Sequence, residues 1–460
     1  MTRKFIDREE ELELLEKLYS EPGPKLIIVY GRRRIGKTTL LKKSIEGKKA
    51  LYFLCGKRKV EHNLLNFSKK VCEFLRIPEV NFESFIKAFE FLANKKEGII
   101  ILDEFGYLIE KDYGILSDFQ LIIDEILKNT NIKLVLCGSS VSLMETEVLG
   151  YKSPLYGRAD VQIKVKPLKF EYLFDWFGDL TIEDSVKLFG VTNNIPKYLQ
   201  FFRATNIEKE IKENFFDDTS FLYNDAMNIL KEELKDHTTY VQVLEAIALG
   251  HTKISEIGNY VMIPANEVYF YIRVLSRLGI VKRIVPLLSS KREKRGVYRI
   301  KDHYFNFWFR FVSPYQEDIE SQVIEAAVKN FEKNFNTYLG RVFEDVVFDL
   351  IKRRKIRFKG LNFDKIGPYW DKNVEIDLLG LNESSKKLLA IECKWKDNID
   401  PKKICKSLID KLEYIDWNKE YRKEYLCIFA KSFKEKITEF DGYKVFCYDL
   451  KDIEKNIKQF

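Results

Sequence analysis

Short apolar runs punctuate the first third of this chain. Leu26-Ile27-Ile28-Val29-Tyr30, Ala50 to Cys55, Ile99-Ile100-Ile101-Leu102 and Leu134-Val135-Leu136-Cys137 are each bounded by Gly, Pro or charged residues. Such runs predict strands buried on both faces, as in a parallel sheet. Helical periodicity fills the gaps. Residues 5–19 place Leu12, Leu15 and Tyr19 on one side, with Asp7 at the N-cap and Glu10 three residues on. Pro22-Gly23-Pro24 breaks that helix before the first strand, and two helical stretches follow Cys55, ending near Ala93.

The pattern changes after residue 235. Val243, Leu244, Ile247 and Ala248, then Ile254 and Ile257, mark two short helices. Ala265 to Leu278 makes a third, with Val268, Tyr271, Ile272, Leu275 and Leu278 on one side. A hairpin follows, from Ile280-Val281 to Val297-Tyr298-Arg299-Ile300. An aromatic run, His303 to Phe311, reads as a packing surface. A helix from Asn336 to Arg354 turns Leu339, Val342, Phe343, Val346, Val347 and Leu350 inward, with Glu344 on the border and Asp345 on the wet side. Period-two alternation then puts Glu375 and Asp377 on one strand face, and Glu392 and Lys394 on one face of the next strand.

Composition narrows the picture only slightly. At 460 residues and 45% apolar content the chain can build two or three cores. The 78 basic against 70 acidic residues, net +8, permit an anionic partner without demanding one. No apolar run approaches about 18 residues, so no membrane helix is expected. The N-terminus lacks the apolar stretch of a signal peptide. Seven cysteines form no CxxC pair. They read as thiols of a reducing cytoplasm, which excludes a disulfide scaffold or zinc site. The Lys, Glu and Ile content suits a thermophile.

The first strand carries the chemistry. It runs into Gly31-Arg32-Arg33-Arg34-Ile35-Gly36-Lys37-Thr38-Thr39, a glycine-bracketed loop leading to a helix. Backbone N–H groups of such a loop curl around phosphates, and the helix N-terminus favours negative charge. Lys37 would reach the β- and γ-phosphates of ATP and Thr38 would bind Mg²⁺. The run ending in Asp103-Glu104 delivers two carboxylates to a sheet edge. Asp103 would hold Mg²⁺ through water, and Glu104 would orient or deprotonate the attacking water. Ser139 and Ser140 end a further strand, where a hydroxyl could sense the γ-phosphate.

With Phe5-x-x-Arg8-Glu9-x-Glu11-Leu12 upstream and Ser153-Pro154-Leu155-Tyr156-Gly157-Arg158 downstream, these motifs resemble the archaeal-type ATPases of the AAA+/STAND division. The resemblance implies an α/β multidomain fold. Its parts would be a P-loop ASCE-type parallel sheet (1–200), a helical lid (201–235), a winged helix-turn-helix (236–302), a helical and aromatic linker (303–335) and a restriction-endonuclease-like domain (336–460). It also implies that the Ser139 strand lies between the phosphate-loop and acid-pair strands. Arg158 would touch nucleotide in cis or in trans, which leaves a homo-oligomer open. In Asn193-Asn194-Ile195-Pro196, asparagines stand where the family usually carries glycines; Asn tolerates positive φ well enough to keep the turn.

The C-terminal pattern is similar to the PD-(D/E)xK nuclease core, with Glu344 on a helix, Asp377 on a strand, then Glu392-x-Lys394. Three carboxylates would share Mg²⁺ while Lys394 positions the attacking water. The proline usual before the aspartate is absent. Arg273, Arg277 and the wing residues Lys291, Arg292, Lys294 and Arg295 could meet phosphates, DNA sooner than RNA. The expectation is an ATP-hydrolysing cytoplasmic switch or motor coupled to a DNA-directed, metal-dependent nuclease-like domain, with no membrane partner. The alternative is a signalling or DNA-binding regulator whose nuclease fold is silent.

Overall fold

The computed structural model describes residues 5–234, 236–289 and 295–458. They form two compact units, Met1–Tyr172 with Ile195–Gln200, and Leu173–Asn194 with Phe201–Phe460. Among the described residues no helix is long and apolar enough to cross a membrane.

In the first unit, β1 (Lys25–Tyr30), β2 (Ala50–Leu54), β3 (Glu97–Asp103), β4 (Asn131–Gly138) and β5 (Val161–Lys164) build one parallel sheet. Their order is β2-β3-β4-β1-β5, so β4, which ends beside Ser139, separates the loop strand from the acid strand as expected. Side chains on both faces of β1, β3 and β4 are buried, which explains the uninterrupted apolar runs. Helices Val60–Leu75 and Phe85–Ala93 cover one face with an aromatic cluster. Phe67 lies 5.2 Å from Phe53 and 5.7 Å from Phe89 between ring centroids. Each such side chain fully buried contributes about 1.5–3 kcal/mol.

The first helix starts at Glu9, not beside an Asp7 cap. Asp7 instead sits at φ 53°, buried, and its Oδ2 accepts from the Lys169 backbone N–H at 2.6 Å. Its local pattern suits a cap, but a carboxylate buried by packing goes where donors are, and Lys169 supplies them. Asn193 and Asn194 do adopt positive φ, 50° and 52°.

In the second unit, helices Thr238–Ala248, Ile254–Val261 and Ala265–Arg277 precede a hairpin of β6 (Val281–Ile284) and β7 (Val297–Ile300). Arg273 and Arg277 are exposed, as is Arg295; Lys291, Arg292 and Lys294 lie outside the described residues. The aromatic run is buried, with Tyr304 Oη donating to Leu222 O at 2.8 Å and Trp308 Nε1 to Tyr223 O at 2.7 Å. β8 (Lys365–Trp370), β9 (Glu375–Asn382), β10 (Lys387–Lys394), β11 (Lys423–Ala430), β12 (Glu439–Phe440) and β13 (Tyr443–Tyr448) form a mixed sheet ordered β12-β13-β11-β10-β9-β8.

The helix expected from Asn336 runs instead from Glu325 to Lys352, because Phe331 and Phe335 extend its buried stripe by two turns. Asp345, expected on the wet side, accepts from Lys282 Nζ at 2.7 Å and lies 3.7 Å from His303 Nε2. Neighbouring elements cover that face, and a helix periodicity cannot reveal them.

Candidate functional site

The glycines of the Gly31–Thr38 loop are structurally required. A Cβ on Gly31 would lie 2.5 Å from Val165 O and 2.7 Å from Ile35 Cδ1, and Gly36 sits at φ 93°. Arg34 also adopts positive φ, 73°. The buried Lys37 ammonium folds back over the loop, donating to Gly31 O at 2.8 Å and Arg32 O at 3.1 Å. Burial lowers its pKa, so an arriving phosphate would restore a fully favoured charge. Arg32 donates to Tyr198 Oη (3.4 Å) and Arg33 to Tyr107 Oη (3.0 Å). Thr38 and Thr39 are exposed at the helix start.

The acid pair stands against this loop. Thr38 Oγ1 donates to Asp103 Oδ2 at 2.7 Å, and Tyr52 Oη donates to the same oxygen at 2.7 Å. Ser139 Oγ donates to Glu104 Oε1. Glu104 sits at φ 57°, a strained conformation for a residue with a side chain. The loop cradle and the paired Thr38 and Asp103 oxygens suit a nucleotide phosphate with a hard divalent ion. Arg158 stands elsewhere: its Nε and Nη2 embrace Asp124 at 2.7–2.9 Å, and its Nη1 donates to Pro154 O at 2.8 Å.

In the second unit, the helix Glu325–Lys352, β9 and β10 bring Glu344, Asp377 and Glu392 to one cavity of about 330 Å³. Asp377 Oδ2 accepts from the Cys393 backbone N–H at 2.8 Å. Lys394 Nζ donates to Glu392 Oε1 at 2.5 Å, and Lys411 Nζ reaches Glu392 Oε2 at 3.2 Å. Arg341 Nη1 donates to Glu344 Oε2 at 3.2 Å. Burial pushes the Glu344 carboxyl up to about 7, against the pull of Arg341. Burial and the neighbouring Glu392 raise Asp377 as well. Among the described residues, no three His, Cys, Asp or Glu side chains are gathered closely enough to hold a metal ion. The oxygens are of the right kind, but Glu392 and Glu344 are drawn aside by cations.

Residues 5–202 match a family described as an ATPase domain predominantly from Archaea. An uncharacterized protein of Methanocaldococcus jannaschii is 36% identical over 457 residues, covering 97% of this chain and 99% of its own. The chain belongs to the archaeal ATPase family. An uncharacterized ATP-binding protein of the same organism is 58% identical over 45 residues, 10% of this chain and 76% of its own. Residues 308–405 match a second family, archaeal and bacterial proteins of unknown function. A Walker-type ATPase of Pyrococcus abyssi shares the fold at TM-score 0.51 and 22% identity, covering 67% of this chain and 97% of its own.

The N-terminal unit of this archaeal ATPase is thus an ATP-binding and ATP-hydrolysing domain on a P-loop sheet. Several supporting roles were not legible beforehand. Arg8, named above only as part of a motif, is buried and donates to Ile35 O at 3.0 Å and Lys166 O at 2.9 Å, bracing the loop from behind. Tyr52 looks like an ordinary strand residue in the sequence. Lys411 left a trace: it lies three positions after Leu408 and seven after Ile404, on the apolar stripe of the helix Pro401–Leu412. A lysine on a buried stripe wants an acid, and Glu392 is that acid.

Proposed function

We propose that ATP turnover at the N-terminal site controls a nucleic-acid-directed, metal-dependent nuclease site formed by Glu344, Asp377, Glu392 and Lys394. The observation that carries the nuclease reading is convergence. A helix and two adjacent strands place three carboxylates on one cavity, with a lysine hydrogen-bonded to one of them.

At the ATPase site, the Gly31–Thr39 loop would enclose the phosphates through its backbone N–H groups, and Lys37 would follow the β- and γ-phosphates. Glu104 would orient and deprotonate the attacking water, with Ser139 fixing its carboxylate from the side. Thr38 and Asp103 would hold Mg²⁺, which neutralises charge on the reacting phosphate. Arg158 would have to leave Asp124 before touching a nucleotide.

At the C-terminal site, Glu344 and Glu392 would have to turn from Arg341, Lys394 and Lys411 to join Asp377 around a divalent ion, which would stabilise a phosphodiester under attack. Lys394 would position the water. The helices Thr238–Arg277 and the β6–β7 hairpin are read as a winged helix-turn-helix, with the exposed Arg273 and Arg277 meeting phosphates.

A second reading has its own support. Glu392 is occupied by both Lys394 and Lys411, a ready internal neutralisation that a silent fold would retain. The protein would then be an ATP-driven regulator that cuts nothing. Incubating the full chain with plasmid DNA and Mg²⁺ or Mn²⁺, with and without ATP, separates them. Cleavage that disappears in Asp377→Ala supports the nuclease; intact plasmid under every condition leaves the regulator.

A further inference from the structure

A cavity of about 670 Å³ opens among the β6–β7 hairpin, the helix His303–Phe307, the helix Glu325–Lys352 and the turn between β8 and β9. It shares Arg341, Glu344 and Glu375 with the smaller hollow that holds Asp377 and Glu392, so the two adjoin. Lys282 and Arg341 in its wall are already paired, with Asp345 and Glu344 respectively. Arg299 and Arg310 are different. Both line the cavity and both are half-buried, yet among the described residues neither guanidinium has a hydrogen-bonded or ion-paired partner. His303 lines the same wall, 4% exposed, with Nε2 turned to Asp345 and Nδ1 without a partner.

Glu344, Asp345 and Glu375 act on Arg299 from a distance, but none hydrogen-bonds it, and two guanidinium groups partly stripped of water keep donors that a ligand can complete. The ligand they call for is anionic and planar or tetrahedral, a carboxylate or a phosphate. Trp370, half-buried, stands in the same wall. Cations and an aromatic ring in one groove are the chemistry that holds single strands, phosphates on the cations and a base on the ring. The cavity volume is that of a site enclosing a small ligand, too little for a duplex and enough for a short reach of one strand.

We infer that this cavity binds the backbone of a single nucleic-acid strand, with Arg299 and Arg310 taking its phosphates and Trp370 stacking a base, and that it feeds the strand towards Asp377 and Glu392. The β6–β7 hairpin is then a wall of the C-terminal site. The direction of the strand rests on the nuclease reading; its binding does not.

The test uses the full chain and a short fluorescent oligothymidylate, read by anisotropy without ATP. Arg299→Gln and Arg310→Gln should each weaken binding about tenfold, the scale of one charge-assisted hydrogen bond. The slope of log affinity against log salt should become shallower by about 0.7 for each phosphate no longer neutralised. Trp370→Ala should weaken binding with the slope unchanged. Melting temperatures of the variants check folding, and Arg299→Lys, which keeps the charge, should retain most of the affinity. Unchanged affinity and slope in both arginine variants overturn the inference, as does a wild-type protein that binds no oligonucleotide. Equal competition by thymidine monophosphate or inorganic phosphate overturns it in favour of a small-anion site. Asp377→Ala separates the two readings. Arginine-dependent binding by a wild type that never cleaves sinks the nuclease alone, and cleavage indifferent to both arginines sinks this inference alone.

Discussion

Thr38 Oγ1 donates to Asp103 Oδ2 at 2.7 Å, tying the helix start after the phosphate loop to the end of β3 before any ion arrives. Tyr52 Oη donates to the same oxygen, so Asp103 is held from β2 as well. The two donors predict different defects. Thr38→Ala removes a proposed metal ligand and should raise the Mg²⁺ concentration needed for half-maximal ATPase activity by about tenfold or more. Tyr52→Phe removes only a brace and should change that concentration by a few-fold at most, because the hydroxyl orients Asp103 without itself being a proposed ligand. Titrating Mg²⁺ against turnover in both variants checks the order.

Glu104 combines a chemical role with a strained backbone. Glu104→Gln should leave ATP binding intact and lower turnover about 10²-fold or more, the scale of a missing general base. Glu104→Gly should lower turnover equally yet raise stability by about 1 kcal/mol, because glycine accepts φ 57° without strain. Denaturant unfolding beside ATPase assays reads both. A Gly variant no more stable than the Gln variant would argue against strain at this position.

Lys37→Ala should weaken ATP binding sharply. The mutation removes a buried cation whose folded-state partners are loop carbonyls, so stability without nucleotide should change little compared with affinity. Calorimetry with ATP and melting without it measure the two effects.

Arg158 and Asp124 give opposite signs. If the arginine serves a nucleotide after leaving Asp124, Arg158→Ala should lower turnover while Asp124→Ala raises it by freeing the guanidinium. Equal, small drops in stability in both, below about 1 kcal/mol, with unchanged turnover would leave the pair as an ordinary surface ion pair.

Glu344 sets a pH dependence. Its carboxyl titrates near 7 in the folded chain because it is buried, against about 4.3 in an unfolded one. Between those values the native state binds the extra proton, so its contribution to stability falls as pH rises through the window. Glu344→Gln should therefore match the wild type at pH about 4 and exceed it above pH 7, by on the order of 3–4 kcal/mol. A divalent ion competes with that proton, so metal affinity of the C-terminal site should climb through the same window. Melting curves and Mn²⁺ calorimetry across pH test both.

The N-terminal site was written in consecutive residues. A glycine-bracketed loop acts through its own backbone, and strands buried on both faces have no polar alternation to blur them, so Gly31–Thr39 and Asp103-Glu104 declared both their structure and their place. The C-terminal acids were also legible, since period-two alternation fixes which strand residues share a face. What no local pattern contained was the set of partners. Asp7 left its cap for Lys169, and Asp345, half-buried, found Lys282. Arg158 turned to Asp124 and Lys411 to Glu392.

Sequence alone therefore determined which strands and helices form, though not where every helix begins, together with the strand that carries each acid and the chemistry of the phosphate loop. Those depend on spacing along one chain segment. Only the tertiary structure decided which charges are neutralised, because a buried charge takes whichever counter-ion folding brings near, and residues 63 or 162 positions apart share no sequence signal. The same reason hid the arginines left over. Arg299 and Arg310 became recognisable as a site only once Lys282 and Arg341 beside them could be seen to have found their acids.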